Sequence, residues 1–145
     1  NSIAHAHPMY GKTFSTLGKT LDPISQDSCA FYERTALFAD YDGVANGPDE
    51  GINIAKALGE KDFVILQNHG ILTTGTMVDT TIWYFLNMED ACKSQLLAEA
   101  VGKPIIIPHE TACATRDYVA NDLSAYVSFQ PTVDVLWEEE PDLLD

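Results

Sequence analysis

Phe63-Val64-Ile65-Leu66-Gln67-Asn68-His69-Gly70-Ile71-Leu72-Thr73-Thr74-Gly75 is two strands joined at a corner. Phe63 to Gln67 is an apolar run of strand length, and Ile71 to Thr74 is a second strand closed by Gly75. Asn68-His69-Gly70 lies between them. His69 is therefore delivered to the end of a buried strand, the place where connecting segments carry many functional side chains.

Working outward from this corner, helices alternate with strands on both sides. Downstream, Thr76-Met77-Val78-Asp79 has the form of a capping box and opens a long helix to about Val101. Val78, Ile82, Phe85, Cys92, Leu96 and Ala100 recur at helical steps and predict a stripe buried on the sheet, which makes Cys92 a core residue. Trp83-Tyr84-Phe85 is expected to pack rather than to stack on a ligand, because neighbouring helical side chains point apart. Gly102 and Pro104 end this helix, Ile105-Ile106-Ile107 is a short strand or an extended link, and Pro108 restarts a helix through about Ala120. Trp137-Glu138-Glu139-Glu140-Pro141-Asp142 is a helix end followed by a solvated acidic segment.

Upstream, Gly47-Pro48-Asp49-Glu50 announces a helix: proline suits its first position and the two acids suit its positive end. Capping explains that acidic pair better than metal ligation does. Ile54, Ala55 and Leu58 would face inward, and Gly59 stops the helix. Thr35 to Phe38 is a short strand before a turn at Asp42-Gly43, and a helical segment through Glu33 precedes it, following an irregular crossing at Leu21-Asp22-Pro23-Ile24. Ser2 to His7 is a strand, and Pro8 permits a helix to follow as far as Gly18.

That first strand carries His5-Ala6-His7-Pro8. Residues two apart on an extended strand point to one face, so His5 and His7 can both aim an imidazole at one cation while Ala6 faces away. An H-x-H pair alone is a weak signal, since histidines on strands are more often simply packed or solvated. His69 from a second strand end raises its weight. Three neutral imidazoles with an open fourth position describe a catalytic metal site rather than a closed structural one. His109, at a helix start behind Pro108, is taken as structural.

Composition narrows the function. A chain of 145 residues fits one domain with a real core, and a formal net charge of −14 opposes binding to nucleic acid or to an anionic membrane surface. Cys29, Cys92 and Cys113 are odd in number and widely spaced, as expected of reduced thiols in a cytoplasmic protein. There is no apolar stretch of bilayer length and no secretory signal. The chain opens on Asn1-Ser2-Ile3-Ala4 without Met, directly into the histidine strand, so Asn1 is expected to lie inside a longer protein.

His5-Ala6-His7-Pro8, the Leu66-Gln67-Asn68-His69-Gly70 corner with Leu72-Thr73-Thr74-Gly75, and the acidic helix start between them resemble the class II aldolase/adducin family. The likeness runs from Ser2 to about Val101, and the closing stretch from Ser128-Phe129-Gln130-Pro131 to Leu143-Leu144-Asp145 is similar to the end of uncharacterised members. The resemblance implies an α/β fold, a three-layer α/β/α sandwich around a mainly antiparallel sheet, with residues 1–145 as one domain forming the C-terminal portion of that unit and its extension. It implies a divalent metal, zinc foremost, on His5, His7 and His69, a small and phosphorylated hydroxy-carbonyl substrate, aldolase-type lyase chemistry through a metal-stabilised enediolate, and a homo-oligomer. Epimerisation, dehydration and decarboxylation share that enolate chemistry. The family's glutamate acid/base and its phosphate-binding loops would lie upstream and match nothing in this chain, and neither Tyr10 nor Tyr32 falls clearly at a family tyrosine. The alternative from another class is a non-catalytic adducin-like protein for oligomerisation or cytoskeletal binding.

Overall fold

The computed structural model describes residues 1–40, 43 and 48–142, without the side chains of 48 and 49. The expected turn at Asp42 and the capping role of Asp49 lie outside the described residues.

The 63–75 stretch forms a hairpin at the centre of the sheet. Its strands are β3 (Phe63–Leu66) and β4 (Gly70–Gly75), with Leu66 opposite Gly70 and Val64 opposite Leu72; β1 (Ser2–Ala6) and β2 (Thr35–Phe38) flank them. The order is β1-β4-β3-β2, with β1 antiparallel to β4 and β2 parallel to β3. Two of the three pairings are thus antiparallel, as the family resemblance implied.

Side-chain alternation along the strands builds a core on each face. Phe63, Ile65, Ile71 and Leu37 point to the side covered by α1 (Met9–Ser15) and α3 (Val78–Val101), where Phe14, Phe31, Tyr84, Met88 and Cys92 meet them. Val64, Leu66, Phe38 and Leu72 point to the other side, against Ile54, Ala57 and Leu58 of α2 (Pro48–Leu58). Helix, sheet and helix make the three layers. All four side chains of β3 are buried, and at about 1.5–3 kcal/mol for each large apolar side chain taken out of water this short strand contributes heavily to the core. The inward face of α2 uses Ala57 where Ala55 was expected, and Ala55 is exposed.

α3 departs further from its expected pattern. Its buried residues are Thr80, Thr81, Tyr84, Met88, Ala91, Cys92 and Gln95, whereas Val78 is 66% exposed and only Cys92 of the expected stripe is fully buried; Phe85 and Leu96 pack at the core's margin. Two polar members of the true stripe, Thr81 and Gln95, are satisfied by distant partners, and Thr80 bonds locally to Met77. The buried Tyr84 hydroxyl has no hydrogen-bond partner among the described residues. Thr81 Oγ1 shares a 2.6 Å hydrogen bond with Ser2 Oγ, Thr73 Oγ1 donates to Thr81 O, and Gln95 Oε1 accepts from the Asp22 N–H at 2.9 Å while its Nε2 donates to Asp22 Oδ2. Buried polar groups with full partners compete successfully with apolar ones.

The expected capping box at Thr76 and Asp79 is also displaced. Met77 is the N-cap, Thr80 Oγ1 donates to Met77 O, and the Thr76 hydroxyl instead donates to Asp122 Oδ2 at 2.8 Å. That contact ties α3 to the start of α5 (Asp122–Glu139), which contains Pro131 and carries the expected helix end near Trp137. The segment before Glu33 is a single 3₁₀ turn, Ser28–Phe31, rather than a longer helix. α4 (His109–Val119) packs on that turn, and the Ile105-Ile106-Ile107 link is held by the Ile107 N–H donating to Pro23 O.

Candidate metal centre

The hairpin corner and the end of β1 lie side by side, and their local geometry follows from the three corner residues. Asn68 has φ 58°, in the left-handed region that asparagine tolerates better than most residues. The His69 N–H donates to Leu66 O at 3.0 Å and closes the turn. At Gly70 a Cβ would stand 2.5 Å from the carbonyl oxygen of Ala6 and 3.2 Å from the His7 ring, so only glycine lets the corner come this close to β1. The Asn68 N–H also donates to Ser15 O, which ties the corner to the end of α1.

These constraints bring all three nominated histidines together. Ring centroids are 5.1 Å apart for His5 and His7, 5.0 Å for His5 and His69, and 4.5 Å for His7 and His69. One ring nitrogen from each lies within 4.8 Å of the others. His5 sits opposite Leu72 in the β1–β4 register, so it belongs to the face of the sheet that α2 covers. His5 and His7 are exposed and His69 is half-buried, which leaves the group open to a ligand from solvent.

Electrostatics favour the ligating form. His5 Nδ1 lies 2.9 Å from Ile71 O; a carbonyl only accepts, so Nδ1–H donates and the Nε2 lone pair is left outward. This is the carbonyl-to-histidine arrangement that orients metal-binding imidazoles. Burial pushes the His69 pKa below the ordinary histidine value, the neighbouring His5 and His7 add to that, and Glu50 opposes them. His69 therefore stays neutral to lower pH than a free imidazole. A set of three imidazole nitrogen donors, one already oriented by a backbone carbonyl, fits a divalent cation of the zinc class.

Two contributors are not legible in the sequence. The Ile71 carbonyl has no side-chain signature, though its position two residues beyond His69 on the same hairpin hints at it. Glu50 reads there only as a helix-capping acid. Tyr10, to which the sequence gives no role, donates its N–H to Glu89 Oε1 at the start of α1, and His109 lies elsewhere, against Tyr32.

Residues 1–96 match the family model of the class II aldolase and adducin N-terminal domain. Decarboxylase NovR of Streptomyces niveus is 37% identical over 142 residues, 98% of this chain and 53% of that protein. Alpha-adducin of Rattus norvegicus is 36% identical over 103 residues, 69% of this chain and 14% of its own length. Among solved structures, an L-fuculose 1-phosphate aldolase from Glaciozyma antarctica PI12 superposes with a TM-score of 0.85 at 39% identity, covering 97% of this chain and 53% of that one. The chain thus spans about half the length of the decarboxylase and the aldolase it resembles.

Proposed function

The chain belongs to the class II aldolase and adducin family, and from that premise we propose that it is the metal-binding part of a lyase acting on a small hydroxy-carbonyl substrate, with His5, His7 and His69 as the ligands. The observation that carries this reading is the convergence of three imidazoles from two strand ends, with one ring nitrogen of each inside 4.8 Å. Zinc is the first choice of ion because every donor is an imidazole nitrogen and one coordination position stays open. The bound ion supplies Lewis-acid stabilisation of the negative charge that develops on a substrate oxygen next to the reacting carbon.

The chain's own residues hold and orient. His5, His7 and His69 bind the ion, the Ile71 carbonyl fixes the His5 ring, and Gly70 sets the distance between the two histidine segments. The exposed sides of His5 and His7 leave room for substrate. No residue of this chain is assigned as the acid or base. Aldol-type cleavage is placed first. Decarboxylation, the activity in the name of the Streptomyces relative, also leaves an electron pair beside a carbonyl and would use the same ligands.

A non-catalytic adducin-like role is the rival. It gives no reason to group three imidazoles, each of which must be solvated or hydrogen-bonded at some cost when no cation is shared. Cys29 and Cys92, buried and unpaired, support a cytoplasmic setting, and no described helix is long and apolar enough to cross a membrane. Exposed Val127, Val135, Leu136 and Trp137 on α5 support assembly into a homo-oligomer.

Metal analysis tests the assignment. Metal-stripped protein is reloaded with zinc and the bound equivalents are counted for wild type and His69→Ala. The variant is expected to lose one equivalent, with affinity at that site down by at least the roughly 10–100-fold that loss of an outer hydrogen-bond partner alone brings. A variant that binds as many equivalents as wild type, with equal affinity, overturns the assignment.

A further inference from the structure

On the other side of the molecule a different donor set meets. His109 and Cys113 are four residues apart at the start of α4 and so share a helical face. Glu33 reaches them from the segment between the 3₁₀ turn and β2. Cys113 Sγ lies 3.9 Å from each ring nitrogen of His109 and 3.8 Å from Glu33 Oε2, and His109 Nδ1 lies 3.8 Å from Glu33 Oε1. One donor atom from each of the three fits within 4.8 Å of the others.

We propose that Glu33, His109 and Cys113 form a second metal site, separate from the three histidines, that takes a borderline-soft divalent cation of the zinc class. A tetrahedral cation with sulfur at about 2.3 Å and nitrogen or oxygen at about 2.0 Å requires donor separations of about 3.3–3.6 Å. Cys113 Sγ to His109 Nε2 at 3.9 Å and to Glu33 Oε2 at 3.8 Å need to close by only a few tenths of an ångström. The thiol excludes hard cations such as magnesium and calcium from first preference, because thiolate is a soft ligand. On binding, Cys113 releases its proton to solvent, and the thiolate and the Glu33 carboxylate together balance the two positive charges.

The surroundings already hold the ligands in place. The Tyr32 hydroxyl lies 3.1 Å from His109 Nδ1, which leaves Nε2 for the cation and supplies the outer hydrogen bond typical of ligating histidines. Lys61 Nζ donates to the Glu33 carbonyl. Arg116 Nη1 lies 3.5 Å from Glu33 Oε2, and its Nε is paired more closely with Asp117 at 2.8 Å. α4 buries only Ala112, so a cation linking its first turns to Glu33 would staple a lightly packed helix to the body of the domain.

Cobalt distinguishes this site from the first, since only the second contains sulfur. Metal-stripped full chain is titrated with Co²⁺ and followed in the near ultraviolet, where thiolate-to-cobalt charge transfer absorbs, and in the visible. Wild type is expected to bind two equivalents, one with the charge-transfer band. Cys113→Ser should lose that band and one equivalent, whereas His69→Ala should keep the band, so failure of either site is seen independently of the other. A wild-type chain with no charge-transfer band at saturation, or a band that persists in Cys113→Ser, overturns the proposal. Should Cys113→Ser not fold, wild-type alkylation decides: zinc is expected to slow iodoacetamide modification of Cys113 by about tenfold or more, and an unchanged rate overturns the site.

Discussion

Gly70 decides how closely the two histidine segments meet, and its contacts set a sharp expectation. Gly70→Ala would drive a Cβ against the Ala6 carbonyl at 2.5 Å, backbone against which nothing flexible can yield. The variant is expected to lose about 1–3 kcal/mol by urea unfolding and to bind zinc at the histidine group more weakly. Gly51 is the control. It lies within α2, and a Cβ added there would meet nothing within 4 Å among the described residues, so Gly51→Ala should gain about 0.5–1 kcal/mol through helix propensity and a less flexible unfolded chain. Equal effects at the two glycines would refute this contrast. The corner was legible in the sequence because Asn68 and Gly70 are residue types chosen for backbone reasons, and those reasons are local. The Ile71 carbonyl that orients His5 was not, because any residue offers the same backbone oxygen.

Helix α3 shows where sequence periodicity stops being informative. An apolar stripe through Val78, Ile82 and Phe85 is the natural reading, yet the buried face runs through Thr80, Thr81, Tyr84, Met88, Cys92 and Gln95. The difference lies in Ser2 and Asp22, more than 70 residues away in sequence, which satisfy Thr81 and Gln95. Pattern within a helix carries no record of such partners. β3 had no such ambiguity, being apolar at every position and buried on both faces. Cys92 is the member of α3 on which both readings agree, and burial, with Glu89 adding to it, pushes its thiol up to about 12. A thiol with a raised folded-state pKa contributes stability that is intact below the ordinary thiol range and is lost as pH rises through it, because the unfolded chain ionises first. Between pH 8 and pH 10 wild type should therefore lose about 1 kcal/mol more than Cys92→Ala, measured as the shift in urea midpoint. Parallel pH dependence in the two proteins would show that the thiol does not titrate on unfolding.

The whole chain carries 22 acidic and 8 basic side chains, a net charge of −14. Lys19, Arg34 and Arg116 are engaged in ion pairs with Glu99, Asp62 and Asp117, but each pair is partly solvated, and such pairs are worth about 0–1 kcal/mol. Self-repulsion among the remaining carboxylates is spread over the surface and is screened by salt, with a Debye length of about 8 Å at physiological ionic strength and about 3 Å at 1 M. The excess of acids over bases makes repulsion the larger effect, so added sodium chloride is expected to raise the melting temperature of the metal-free chain. Metal binding should respond in the opposite direction. The same negative field concentrates divalent cations near the histidines, and salt weakens that attraction, so zinc affinity should fall as the apo protein becomes more stable. Thermal denaturation of stripped protein and zinc titration, both run from about 0.05 to about 0.5 M salt, a range over which screening changes strongly, check the two halves together. A melting temperature that drops with salt would mean the ion pairs outweigh the repulsion, and a zinc affinity indifferent to salt would mean the ligands act through short-range coordination alone.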